Sequence, residues 1–237
     1  MLVDVSLLLE LVPDQSMSAR SVVIDVLRAS TTILSALECN IPYLVPVATI
    51  PEALELSEQL GRACYLGGER NKLRPEGFHF GNSPLEYRQI DQALPVVYTT
   101  TNGTRALQRV SASPEVLVGS LRNAQAIALS LIKSEAPVLL VCSGTKGLIA
   151  AEDVFCAGAI LAEMQSRVPI EMTDAAQVAL LAYQQVADNL EAGLLATTSG
   201  QGLQQLGFAA DVRYSAESNA SRLVPRFAAG RLTVERP

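Results

Sequence analysis

Tryptophan is absent, histidine occurs once (His79), and aromatic residues make up only 5% of the 237 residues. Stacking platforms for single-stranded nucleic acid are therefore poorly supplied. The four cysteines (Cys39, Cys64, Cys142 and Cys156) form no CxxC pair. With a single histidine, that argues against a Cys/His zinc site and for reduced core thiols. Positive charge is also in deficit. Lys and Arg number 18 against 24 Asp and Glu, a net charge of −6, which argues against nucleic acid or an anionic membrane as the main partner. Asp4 and Glu10 interrupt the N-terminal apolar segment, so no secretory leader is read, and no run is long enough to span a bilayer. A cytoplasmic protein is expected. What is present is 49% hydrophobic and 18% charged residues, the composition of a compact chain with a sizeable core. With no linker or composition shift, residues 1–237 are read as one α/β domain, two lobes being allowed but no boundary legible.

The strand signals are short, β-branched and followed by helical periodicity. Val3 to Leu11 reads as an edge strand turning at Pro13-Asp14, and Ser21 to Val26 as a buried strand. The helix Ile33 to Cys39 follows, with Ser30 or Thr31 as its cap. Tyr43 to Val47 reads as an edge strand because of Pro42 and Pro46. A helix Pro51 to Leu60 comes next, with Thr49 as cap, and then the strand Cys64 to Leu66 and a long basic loop, Asn71 to Gly81. Further strands are expected at Pro95–Tyr98, Glu115–Gly119 and Pro137–Val141, and further helices at Asn123–Lys133 and Glu152–Met164. An Ala-rich helix from Thr173 to about Leu190 would bury Val178, Leu181, Ala182 and Val186, and a short helix would end at Gly207. The tail reads as polar. This alternation implies a largely parallel sheet with helices on both faces.

Four strand–turn–helix junctions share one design: Asp25–Thr32, Gly67–Arg74, Thr99–Arg105 and Ser143–Asp153. In a parallel sheet their strand ends would share one edge, where α/β proteins bind ligands. The turns pool carboxylates (Asp25, Glu69, Glu152, Asp153), cations (Arg28, Arg70, Lys72, Arg74, Arg105, Lys146) and many hydroxyls. Carboxylates without a histidine or thiol cluster suit a hard cation such as Mg²⁺, and the cations with exposed amides suit a phosphate. Asp25 is the residue least explained by packing, since a carboxylate inside an apolar strand needs a partner. Glu69 and Arg70 could equally be a surface ion pair, and Glu152 is stabilised at a helix start whatever else it does.

The segments Val23-Ile-Asp-Val-Leu-Arg-Ala-Ser-Thr31, Gly67-Gly-Glu-Arg70, Gly77-Phe-His-Phe-Gly-Asn-Ser-Pro84 and Thr99-Thr-Thr-Asn-Gly-Thr-Arg105, with Ser143-Gly144 and Glu152-Asp153, resemble the 2-phosphosulfolactate phosphatase family over nearly the whole chain. The resemblance implies a three-layer α/β/α fold and a Mg²⁺-dependent hydrolase. It would convert 2-phosphosulfolactate to sulfolactate and phosphate, a step tied to coenzyme M formation. It carries over Asp25, Arg28, Glu69, Arg70, Asn82, Asn102, Thr104 and Asp153 as site candidates. On this reading Asp25, Glu69 and Asp153 hold the metal, while Arg28, Arg70 and Asn102 complete the catalytic set. Ser30, Thr31, Asn82, Ser83, Thr101, Gly103, Thr104, Ser143, Gly144 and Lys146 face the substrate, a small phosphorylated molecule. One departure is His79, where the family is expected to carry Asp.

Two rival readings remain. Asp25 could be a nucleophile forming an aspartyl-phosphate, although the Asp-x-Asp of dehalogenase-type phosphatases is broken by Leu27. Alternatively, the chain could be a non-enzymatic sensor for an anionic phosphorylated metabolite. A homodimer is compatible with either.

Overall fold

The computed structural model describes residues 1–13 and 20–235. Asp14, the second residue of the first expected turn, lies outside them. The strands are β1 Leu2–Ser6, β2 Arg20–Ile24, β3 Leu44–Pro46, β4 Tyr65–Gly68, β5 Val96–Thr99, β6 Val116–Gly119, β7 Val138–Cys142, β8 Glu171–Met172, β9 Arg226–Ala228 and β10 Arg231–Thr233. The helices are α1 Ala29–Glu38, α2 Ile50–Gln59, α3 Pro84–Tyr87, α4 Gly103–Arg109, α5 Ala124–Leu131, α6 Ala151–Gln165, α7 Asp174–Gln184, α8 Leu190–Ala196, α9 Thr198–Gln205 and α10 Ala209–Ala216.

The apolar runs in β2 and β7 are buried on both faces, and successive side chains point to opposite layers. Val22, Ile24, Leu140 and Cys142 pack with Ile160 and Leu161 of α6. Val23, Leu139 and Val141 pack with Ile33 and Leu37 of α1 and Leu107 of α4. The result is the expected three-layer α/β/α arrangement. No helix among the described residues is long and apolar enough to cross a membrane.

The ten strands form one sheet in the order β4-β5-β3-β10-β9-β6-β2-β7-β1-β8. It consists of two parallel blocks, β4-β5-β3 and β6-β2-β7-β1-β8, joined by the antiparallel hairpin β9–β10. Three antiparallel pairings in succession make the two blocks run in opposite senses. The candidate turns therefore do not share one sheet edge. Instead, the carboxyl ends of β2 and β7 meet those of β4 and β5 coming from the other block.

Several local expectations are corrected. β1 is not an edge strand: it lies between β7 and the two-residue β8, and Leu9–Leu11 form a 3-10 turn. β3 is also internal. Its prolines are tolerated because Pro42 precedes the strand and only Leu44 pairs with β10. The long Ala-rich helix breaks into α7, a 3-10 turn and α8. α7 buries Ala176, Ala179 and Leu180, leaving Val178 and Leu181 exposed. Its contact with α6 is made at Gly158, where an added Cβ would come within 2.2 Å of the Ala179 carbonyl. Close approach through small residues thus overrides the wider apolar stripe. The polar tail holds α10 and the hairpin, whose three-residue strands are too short for a periodic signal.

Candidate active site

Asp25 follows β2 directly, and its chain neighbours fix it. Ser30 Oγ donates to the Asp25 carbonyl (2.8 Å) and accepts from the Asp25 amide (3.2 Å), while Thr31 Oγ1 donates to the Val26 carbonyl (2.9 Å). Neither hydroxyl caps α1. That role falls to Asp25 itself, whose Oδ1 accepts from the Ala29 amide at 3.1 Å. Oδ2 is left without a hydrogen-bond donor among the described residues. Burial, then the nearby Glu69 and Glu152, push the Asp25 carboxyl up to about 7, against the pull of the Ala29 amide and Arg28.

The Asn102-Gly103 turn arrives from the other block. A Cβ on Gly103 would lie 2.6 Å from the Ala29 Cβ and 3.1 Å from Asp25 Oδ2, so only glycine lets the turn come this close. Asn102 begins α4 without a side-chain cap. Thr104 is turned inward, its Oγ1 donating to the Thr100 carbonyl at 2.8 Å.

Glu69, buried at the end of β4, accepts from the amide and hydroxyl of Thr101 (both 2.9 Å) through Oε1 and from the Lys72 amide (2.8 Å) through Oε2. It ties the basic loop to the β5–α4 turn and makes no ion pair with Arg70. Arg70 points away from the cavity and holds the Glu69 carbonyl (2.6 Å), the Ala48 carbonyl (2.8 Å) and Thr99 Oγ1 (2.8 Å). Asp153, in the first turn of α6, accepts from the Val26 amide (2.8 Å) and, through its other oxygen, from the Gly144 amide (3.1 Å). Gly144 can offer that amide because it sits at φ 67°. Burial, then Asp25 and Glu152, hold the Asp153 carboxyl well above the usual carboxylate range.

These segments enclose a cavity of about 100 Å³, lined among others by Asp25, Arg28, Glu69, Lys72, Asn82, Thr101, Asn102 and Lys146. Larger hollows of about 570 and 530 Å³ lie elsewhere on the surface, but neither gathers these groups. The Asn82 side-chain oxygen accepts from the buried Tyr98 hydroxyl, which leaves its amide NH₂ as the group for a ligand. Ser83 Oγ donates to Asp211 at 2.6 Å. Ser143 follows β7, with its amide on the Ile24 carbonyl, and its buried Oγ has no partner among the described residues. Lys146 is exposed at the rim. Burial, then Arg28 and Lys146, lower the Lys72 ammonium from its usual value. His79 is outside the cavity, its Nδ1 accepting from the Leu66 amide at 2.9 Å.

Among the described residues, no three His, Cys, Asp or Glu side chains group as a metal cluster. Of the expected trio of Asp25, Glu69 and Asp153, Glu69 and Asp153 already accept from neighbouring donors through both oxygens. The candidate carboxylates with an oxygen free of donors among the described residues are Asp25, through Oδ2, and Glu152, which is 2% exposed. A cation that takes one or two carboxylates, water and substrate oxygens matches this donor set, and Mg²⁺ is such a cation. Sequence reasoning passed over Glu152 because a helix start already explained it. It missed Ser199 and Leu203 of α9, which line the cavity, and Asp211 of α10, which bonds Arg28 and Ser83 behind it. The only available signal for Asp211 was a carboxylate between apolar residues in the tail.

A family model described as 2-phosphosulpholactate phosphatase matches residues 7–230. A Clostridium perfringens protein named probable 2-phosphosulfolactate phosphatase is 36% identical, the match covering 99% of this chain and 97% of that protein. Proteins of the same name from Carboxydothermus hydrogenoformans and Thermotoga maritima are 38% and 36% identical. Their matches cover 90% and 89% of this chain, and 89% of each relative. The four turns predicted to carry the chemistry surround one small cavity, and the chain that builds it belongs to the 2-phosphosulfolactate phosphatase family.

Proposed function

We propose that this chain is a phosphoric monoester hydrolase that cleaves 2-phosphosulfolactate, or a closely related small polyanionic phosphate ester, to the free hydroxy acid and phosphate. The observation that carries the reading is Asp25 Oδ2 facing the Asn102-Gly103 turn inside a cavity lined by Arg28, Lys72 and Lys146. Family membership supplies the substrate class. The supporting chemistry is a cavity that pairs unbonded carboxylate oxygen with several cations, an arrangement that can take a dianionic phosphoryl group and further acidic groups at once.

Mg²⁺ is the proposed cofactor, with Asp25 and Glu152 as the residues to hold it. When bound it would neutralise phosphoryl charge and favour ionised carboxylates around it. The chain's own groups do the rest. Arg28 and the Asn82 amide donate to the phosphoryl oxygens, and the 101–103 turn closes over them. Lys72 and Lys146 receive the sulfonate and carboxylate of the substrate. Glu69, Asp153 and Arg70 hold the turns in register and leave the substrate to others. A cytoplasmic setting and a step towards coenzyme M belong to the same proposal.

Phosphate release from 2-phosphosulfolactate and a panel of small phosphate esters, with Mg²⁺ and with EDTA, tests it. Metal-dependent turnover that favours the polyanionic ester is expected. Binding of such esters without phosphate release under any divalent metal would make the protein a sensor and end the proposal.

A further inference from the structure

Asp211 belongs to no motif described above, yet it is only 2% exposed and sits behind Arg28, which lines the cavity. One of its oxygens accepts from Arg28 Nη1 at 2.8 Å and the other from Ser83 Oγ at 2.6 Å. Arg28 is equally buried. Its Nη2 donates to the Lys72 carbonyl at 2.9 Å, and its guanidinium carbon lies 4.5 Å from the centre of the Phe208 ring. Two segments remote from it in sequence therefore immobilise one guanidinium: the basic loop, and α10 with the residue that precedes it. A buried Arg–Asp pair is a weak source of stability, because desolvating both charges offsets most of their attraction. Its value here is geometric. Arg28 spends two of its five donors on protein and keeps Nε–H and one N–H on each terminal nitrogen for an oxyanion. Through Ser83, the same carboxylate fixes the segment that presents Asn82.

We infer that Asp211 is a positioning residue for phosphoryl transfer, holding Arg28 and the Asn82-Ser83 segment in the orientation that receives the transferring group. The inference rests on the proposed hydrolase activity. It has a second consequence: Asp211 already compensates the charge of Arg28, so the attraction of a polyanion falls to Lys72 and Lys146. Disturbing the clamp should spare substrate capture and slow the chemical step.

The test compares Asp211→Asn, Arg28→Met and the double variant in steady-state hydrolysis with Mg²⁺. Inorganic phosphate affinity is measured by calorimetry on the same proteins. Asp211→Asn is expected to lower kcat by about tenfold or more with KM within about threefold, and to cost less than about threefold when Arg28 is already Met. Inorganic phosphate, which makes only the phosphoryl contacts, should bind about tenfold more weakly. Unchanged kcat, or the same loss in both backgrounds, overturns the inference while leaving the hydrolase reading intact. If the unaltered protein hydrolyses nothing, the hydrolase reading fails, and undiminished phosphate binding by Asp211→Asn then overturns the clamp separately. Should Asp211→Asn not fold, Ser83→Ala removes one arm of the clamp. A kcat lowered about threefold supports the inference and an unchanged kcat overturns it.

Discussion

Gly103 and Asp25 belong to oppositely running strand blocks and meet at a distance that leaves no room for a methyl group: an added Cβ would sit 3.1 Å from Asp25 Oδ2 and closer still to Ala29. Gly103→Ala must therefore push the turn out of the cavity. We expect it to destabilise the fold by about 1–3 kcal/mol, as overpacking does, and to lower turnover by far more than that loss of stability explains. Thermal unfolding and kcat on the same preparation check this, and normal kcat would show that the contact is not part of the site.

The Asp25 carboxyl titrates near 7 in the fold but near 3.8 when free. The folded state thus holds a proton that the unfolded chain has released. The stability contributed by this group is fully present below about 3.8 and declines as pH rises towards 7. The expected signature is a gap between the unfolding curves of wild type and Asp25→Asn in EDTA. Asp25→Asn should become the relatively more stable protein as pH climbs through this window, and Mg²⁺ should restore the wild type. A gap that does not move with pH would refute it. Turnover by Asp25→Asn should be almost abolished.

Glu152 and Glu69 should behave in opposite ways. Glu152 has no donor among the described residues, so Glu152→Gln is expected to raise the Mg²⁺ concentration for half-maximal activity by about tenfold or more, with little change in unfolding temperature. Glu69 accepts three hydrogen bonds, so Glu69→Gln leaves a donor unpaired and costs about 1–3 kcal/mol of stability. Magnesium titrations and urea melts of the two variants decide. A shift in metal requirement for Glu69→Gln alone would reverse the assignment.

Direct attack by water leaves no bond between enzyme and phosphorus. Acid-quench labelling with ³²P-substrate should accordingly recover no labelled protein during turnover. A stoichiometric acid-stable label lost in Asp25→Asn would make Asp25 the nucleophile.

The apolar strands β2 and β7 and the anomaly of Asp25 were legible in the sequence, because a carboxylate ending a fully apolar run has few structural explanations. Whether a polar side chain near the site faces the ligand or its own backbone was not. Thr104, Ser30 and Thr31 read as ligand groups but spend their hydroxyls on carbonyls within five residues, a choice made by rotamer and turn geometry. Arg70 reads as a phosphate ligand for the same reason and braces carbonyls instead. Asp211 was invisible because its partners, Arg28 and Ser83, lie more than 120 positions away. The opposed senses of the two blocks depend on β9 and β10, three residues each, below the length at which alternation can be seen.

The join between the blocks is narrow: β10 meets β3 at the single pair Leu232 and Leu44, whereas β2 and β7 share five. The sheet is thus a continuous plate with a thin crease. Bending there disturbs one rung of the ladder, and the groups that must admit a substrate and release two products lie on either side of that fold line. Amide exchange should run fastest at this crease, and slow markedly once inorganic phosphate bridges the two halves.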